Sequence, residues 1–359
     1  MKKSLLILFF GTGILSAQTS TFITDGDWLD AANWDTGIVV PDNQNALINA
    51  NAVVDRNTGT ANVDNPTRIE IGSGPGASGS VTVSGGTLSG AHGGGNGIFV
   101  GANGGNGTLR VEEGATYRSQ GANMQFAVGD FAGGTGFVSV AGVMQIYKFL
   151  NVNNGIFEML PTGKCNLFNS NDPSSIGAEG TLSFVIDGSD VGSLERSNTN
   201  GLNLTIDSAA TLKINLGGDF ELNDSWALMR YSSLSGQFKE GESFTNEQGY
   251  TFAVDYGSGN NDAVILTLTS DSERPKISNL IATPAAISAG ASSSLTWSAS
   301  NFDSLTLDPG EVDLTVLTET TVSPTETTTY TLTAVKGAAS VSSEVTVVVD
   351  ELPEINSFT

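Results

Sequence analysis

The chain holds one cysteine and one histidine in 359 residues. With Cys165 alone no intrachain disulfide forms, so stability must come from burial and backbone hydrogen bonds. Set in "GKCNLF", Cys165 reads as a small buried apolar residue. The same shortage excludes zinc sites made of histidines or cysteine clusters. The single histidine, His92, lies in the glycine-rich loop "GAHGGG", a poor place to hold a catalytic base.

Positive charge is also scarce. There are 15 Lys+Arg against 38 Asp+Glu, a formal net charge of -23. Such a body repels nucleic acid and anionic polysaccharide, so no nucleic-acid partner is expected. Charged residues of both signs make up only 15% of the chain, which leaves the surface to Ser, Thr, Asn and Gly. Long apolar runs are missing too. Residues 4–15, "SLLILFFGTGIL", are too few to span a membrane comfortably, and no later segment has the roughly 18 apolar residues required. Preceded by Met1-Lys2-Lys3 and followed by Ser16-Ala17, that run reads as an export signal over residues 1–17, cleaved after Ala17. The expected localisation is secreted or cell surface, with no integral membrane segment after cleavage.

Glycine, by contrast, is abundant at 44 residues. Gly74-Pro75-Gly76-Ala77-Ser78-Gly79 satisfies G-x-G-x-x-G directly after an apolar run, the spacing of a phosphate-binding loop. That chemistry needs a helix next, whose N-terminal amides hold the phosphate. Here "SVTVSGG" follows, and its alternation is that of a strand.

The same pattern then recurs. "IGSGPGASGSVTVSGG" starts at Ile71, "VGANGGNGTLRVEEGA" at Val100 and "VGDFAGGTGFVSVAGV" at Val128. The steps are 100 − 71 = 29 and 128 − 100 = 28 residues. Gly79, Gly107 and Gly136 open the second strand of each copy. A period in this range marks a solenoid, in which each coil buries its apolar face only by stacking on the next. The expectation is a parallel β-helix with Val81/Val83, Leu109/Val111 and Val138/Val140 stacked inside and glycines at the corners. The pattern weakens after Lys148 and returns in fragments such as "GTLSFVID" and "TLKINL".

The open ends of such a stack need covering. Residues 18–62 are assigned to an N-terminal cap anchored by Trp28 and Trp34, with a turn at Val40-Pro41-Asp42-Asn43. Residues 63–270 are assigned to the solenoid with its C-terminal cap, anchored by Trp226 and closed by "YTFAVDYGSGNNDAVILTLTS". Residues 275–350, rich in Ser, Thr and Val, hold about seven short strand-like runs and read as a β-sandwich with Trp297 and Tyr330 facing inward. Pro275-Lys-Ile-Ser-Asn-Leu280 matches Pro353-Glu-Ile-Asn-Ser-Phe358, so residues 351–359 read as the truncated start of a second sandwich, with further domains expected downstream.

Two resemblances attach to these motifs. The W-x(5)-W…VP opening, the G-x-φ-x-V-x-x-G rungs and the closing "FAVDYGSGNNDAVILTL" resemble autotransporter-passenger-like glycine-rich β-solenoid repeat proteins of environmental bacteria. "SAGASSSLTWSAS…TTTYTLTA" resembles the bacterial immunoglobulin-like modules of secreted proteins, without the antibody-type cysteine pair. The fold class implied is all-β: a parallel β-helix with capping ends, followed by an immunoglobulin-like β-sandwich.

Chemistry is hard to find. No G-x-S-x-G occurs, and 38 acids offer too many pairs to nominate a glycosidase couple. A polysaccharide lyase on the β-helix would want a basic groove, yet Arg68, Arg110, Arg118, Lys148 and Lys164 do not cluster in sequence. The stretch from Gly257 to Ile265 faintly matches the G-G-x-G-x-D-x-U-x calcium coil, but only once, where a hairpin turn is the simpler reading. Loose Ca²⁺ association with the acidic surface is the one ion effect anticipated. Tyr117, Tyr147 and Phe131 could stack on sugars if exposed, although packing along the solenoid explains them more simply. No catalytic, cofactor-binding or metal residue is nominated. The reading is a non-catalytic, exported structural or adhesive protein, whose partner is a cell-surface or extracellular polysaccharide or protein. Accessory, glycan-binding modules of a larger carbohydrate-active enzyme are the alternative, and a β-helix lyase is third.

Overall fold

The computed structural model describes residues 19–37, 39, 45–55, 68–90, 97–119, 125–130, 132–168, 173–197, 202–218, 220–271, 274–310, 312–337 and 339–350. The export signal, the turn at residues 40–43, His92, Phe131 and residues 351–359 lie outside them. Among the described residues strands dominate, and a single 3-10 turn, Ala31–Asn33, is the one helical element. None of the described helices is long and apolar enough to cross a membrane. The contacts divide the chain into two compact units. The first takes the described residues up to Gly218 with Ala227–Glu240 and Tyr256–Ile265; the second takes those within Asp219–Trp226, Gly241–Asp255 and Leu266–Thr359.

The first unit is a winding of short parallel strands, a β-solenoid. Each complete turn has three sides. The turns run over Arg68–Ser73, Ser78–Val83 and Thr87–Gly90, then Gly97–Ala102, Asn106–Val111 and Thr116–Ser119, then Gln125–Val128, Thr135–Val140 and Val143–Ile146. Three more follow, the last closing on Met229 and Arg230, which makes about six turns among the described residues. Parallel stacking starts upstream of the first glycine repeat. Thr19–Phe22 pairs in register with Asn45–Ile48, and Gly26–Asp27 with Asn51–Val54, so these four strands already belong to the ladder.

Register explains why strand alternation recurs at the same phase in each turn. On the second side, Ala52, Val81, Leu109, Val138, Phe157, Leu182 and Leu212 are successive partners, all buried. Two residues on, Val83, Val111, Val140, Met159, Phe184 and Ile214 form a second inward row. The first side contributes Ile48, Ile71, Val100, Val128, Val152 and Ile176, and the third Leu88, Tyr117, Met144, Cys165 and Leu194. The expected stacking of Val81/Val83 on Leu109/Val111 on Val138/Val140 is therefore present. Each such side chain contributes about 1.5–3 kcal/mol by leaving water, which is how the chain holds together without cross-links.

Glycine serves the corners in two ways. Gly101 has φ +74°, and a methyl carbon there would lie 1.9 Å from Thr135 O; Gly72 and Gly129 occupy the same place in their turns. Gly107 has no unusual φ, but its added carbon would meet Gly101 N at 2.2 Å and Ile71 O at 2.3 Å. Gly79, Gly107, Gly136, Gly155 and Gly180 are register partners, so one line of bare backbone runs down the stack. The G-x-G-x-x-G stretch thus bends one strand into the next, and a strand, Ser78–Val83, follows it.

The fading of the repeat after Lys148 has a structural cause. In the next two turns the glycine-rich corner is gone, and the unbroken strands Phe149–Met159 and Ser174–Asp187 each cover two sides. The step shortens accordingly, from the 29 residues between Asn51 and Ser80 to the 24 between Asn151 and Ser175.

Phe22, Trp28 and Trp34 are all buried. Trp28 and Trp34 meet edge to face at 5.0 Å, Phe22 stands against both, and Trp34 Nε1 donates to Trp28 O at 2.9 Å.

In the second unit, Ser243–Thr245 pairs antiparallel with Thr251–Asp255, and Arg274 lies over the Tyr250 ring at 4.4 Å. Two further sheets follow. Lys276–Thr283, Ser293–Ser300 and Glu319–Val322 form one; Ala286–Ser288, Ala339–Asp350, Thr328–Lys336, Ser304–Asp308 and Val312–Asp313 form the other. One apolar cluster, including Leu295, Trp297, Leu305, Tyr330, Leu332 and Val347, lies at their core. Trp297 and Tyr330 point inward as the alternation requires.

Candidate functional site

Outside the corner between the first and second sides, the polar residues that flank the glycine line frame a groove. At Gly79 the residues before and after project outward, Ser78 and Ser80. One turn above, Asn49 and Asn51 flank Ala50, and one turn below, Asn106 and Thr108 flank Gly107. With Ile23 and Asp25 from the first turn, these residues line an open groove of about 530 Å³. Four successive turns contribute to it, spaced by the roughly 4.8 Å between neighbouring strands.

The walls are tied to one another. Asp25 accepts from Asn51 N at 2.8 Å and from Asn51 Nδ2 at 2.9 Å, and these bonds hold its carboxyl below the usual carboxylate range. Ser80 Oγ donates to Asn51 Oδ1 at 2.7 Å, and Thr135 Oγ1 to Asn106 Oδ1 at 2.5 Å. Asn49 Oδ1 takes Ser73 N at 3.2 Å. The Nδ2 groups of Asn49 and Asn106, two exposed residues of the groove lining, have no hydrogen-bond partner among the described residues. The outward row beyond Thr108 continues into Phe137, half-exposed, with the Arg110 guanidinium 5.8 Å from its ring centre.

Acid–base chemistry needs two titratable groups in reach of one bond. The groove lining holds one, Asp25, and both of its oxygens are engaged. The arrangement can hydrogen-bond and make apolar contact; it does not assemble a proton donor and acceptor pair.

The residues weighed from the sequence fall elsewhere. Arg68 is on the first side, bridged to Glu70 and 4.0 Å over the Phe99 ring; Arg110 is on the second side; Arg118 and Lys164 are on the third. Lys148 precedes the strand Phe149–Met159, 5.4 Å from the Phe149 ring. No side gathers them. Asp262, in the Gly257–Ile265 stretch, spends its carboxylate on the backbone amides of Ser258 and Ala263 at 2.8 and 2.9 Å, which closes a turn between two strands. Cys165 is buried between Met144 and Leu194, and burial pushes its thiol far above the usual range.

Tyr117 is not available to a sugar. It is fully buried, 5.8 Å from Phe126, because its position in Thr116–Ser119 is an inward one. Tyr147 stacks on Phe168 at 5.1 Å, so both rings pack along the solenoid. The Tyr117 hydroxyl has no hydrogen-bond partner among the described residues, which leaves a desolvated polar group inside an apolar stack. Tyr117→Phe is therefore expected to be neutral or to stabilise the protein by about 1 kcal/mol. Urea melts of the two proteins check this; a loss above about 1 kcal/mol would mean that the hydroxyl has a partner.

The groove could have been found from the sequence. Its walls are polar–small–polar triplets, Asn49-Ala50-Asn51, Ser78-Gly79-Ser80 and Asn106-Gly107-Thr108, repeating at the coil period. Attention to the central glycine hid its neighbours. No family model, no curated protein and no solved structure matches the chain.

Proposed function

We propose that the chain is an exported, non-catalytic structural or adhesive protein of the cell surface, in which a rigid β-solenoid carries a recognition surface. The observation that carries this reading is the continuous register of the inward apolar rows of the second side, which fixes the outward residues between them turn over turn. A long stack with each turn locked to its neighbours holds outer side chains at fixed spacing, as adhesion to a repetitive surface requires. The likeness to autotransporter-passenger-like proteins agrees with that role. The C-terminal sheets fit an immunoglobulin-like spacer: the chain leaves the three-stranded sheet after Thr283, and Ala286–Ser288 joins the other sheet beside Val348–Asp350.

Accessory modules of a larger carbohydrate-active protein are the second reading, favoured by the polar groove. The dispersal of Arg68, Arg110, Arg118, Lys148 and Lys164 over three sides argues against a lyase, which would concentrate positive charge where an acidic sugar binds. The test is incubation of the full chain with neutral and acidic polysaccharides, reading new reducing ends and unsaturated products. None is expected above the blank, and turnover of any polymer would overturn the non-catalytic reading.

A further inference from the structure

We propose that the groove along the Ala50–Gly79–Gly107 line is a binding site for an extended neutral polysaccharide. This rests on the adhesive reading above and names its ligand class.

Shape is the first argument. The groove is open along the stack and built from four turns, so it suits a chain molecule lying across the rungs. A small ligand is held by enclosure, which is lacking here. The second, third and fourth rungs each offer a hydroxyl or amide on either side of Ala50, Gly79 or Gly107, at a spacing close to one sugar unit of an extended glycan.

The chemistry of the walls is the second. Ser78, Ser80 and Thr108 supply hydroxyls, and Asn49 and Asn106 supply amide donors that nothing in the described protein uses. Ile23, 56% exposed at one end, and the Phe137 ring next in the row after Thr108 provide apolar contact for sugar C–H faces. Asn51, held between Asp25 and Ser80, presents its part of the wall in a fixed rotamer, so little freedom is lost on binding.

Other classes fit worse. The ionised Asp25 and the net charge of -23 disfavour anionic polymers and nucleic acid. A peptide adding as a strand needs an open sheet edge, but the strands under the floor, Asn51–Val54, Ser78–Val83 and Asn106–Val111, are paired on both flanks.

The test is affinity electrophoresis of the full chain in gels containing galactomannan, mannan, dextran, arabinoxylan or hydroxyethyl cellulose, with alginate and polygalacturonate as anionic comparisons. At least one neutral polymer should retard the wild type, and the anionic ones should not. Ser80→Trp fills the groove, and Asn49→Ala with Asn106→Ala removes the free donors without adding bulk. Both are expected to weaken retardation at least tenfold while keeping the wild-type circular dichroism. Thr205→Trp, exposed on the first side, should behave as wild type. Wild-type retardation in the folded double variant overturns the groove and leaves the adhesive reading standing. Failure of all five neutral polymers overturns the proposal, and attachment of the full chain to intact cells, measured alongside, shows whether the adhesive reading falls with it.

Discussion

Gly107→Ala is expected to destabilise the solenoid by about 4 kcal/mol or more, at the extreme of what single substitutions do. The added carbon would sit 2.2 Å from Gly101 N and 2.3 Å from Ile71 O, both backbone atoms, and Ile71 is held in register against Val100. Relief requires two turns to separate, and in a solenoid the interface between turns is where much of the stability resides. Gly114→Ala is the informative comparison. Gly114 has φ +78° but open space around an added carbon, so only the left-handed backbone cost of roughly 1–2 kcal/mol applies. Urea melts of the two variants should differ by several-fold in the stability lost. Equal losses would mean that the corner does not pass backbone against backbone.

Phe157→Ala should have the next largest effect, a loss of about 3–5 kcal/mol. Phe157 is fully buried, has Val138 and Leu182 as register partners, and meets Phe126 edge to face at 6.4 Å. Its removal opens a cavity that rows held by ladder hydrogen bonds cannot close. Thr205→Ala, an exposed position on the first side, should change stability by less than about 0.5 kcal/mol. Thermal melts suffice for the comparison. A small loss for Phe157→Ala would place that ring outside the shared interior.

These two residues also show what the sequence reveals and what it hides. The 28- and 29-residue repeat was readable because the corner at Gly101 and Gly107 admits no side chain, so composition is forced to recur. Phe157 lies where the corner is crossed by a continuous strand; the glycine-rich run shrinks there to Gly155 although the inward row continues. The first turns were hidden for a related reason. Ala50 replaces glycine at the top of the floor, so Thr19–Phe22 and Asn45–Ile48 look like a separate cap although they pair as rungs. Tyr117 shows the limit of single-residue reading, since only the alternation within Thr116–Ser119 decides that it points inward.

The fold depends on parallel, in-register stacking of turns, 28 or 29 residues apart over the glycine-rich repeats. Thr82 and Arg110 are outward-facing register partners on neighbouring turns. Adjacent parallel strands place such partners within the 4.4–6.8 Å Cα separation that a disulfide spans. The double variant Thr82→Cys/Arg110→Cys, oxidised mildly and mapped by peptide mass spectrometry, should form an intrachain 82–110 disulfide in nearly every molecule with native Cys165 unmodified. Thr82→Cys paired with Thr205→Cys, on another side, should form none. Two free thiols at 82 and 110 in a folded monomer would contradict the stacked solenoid.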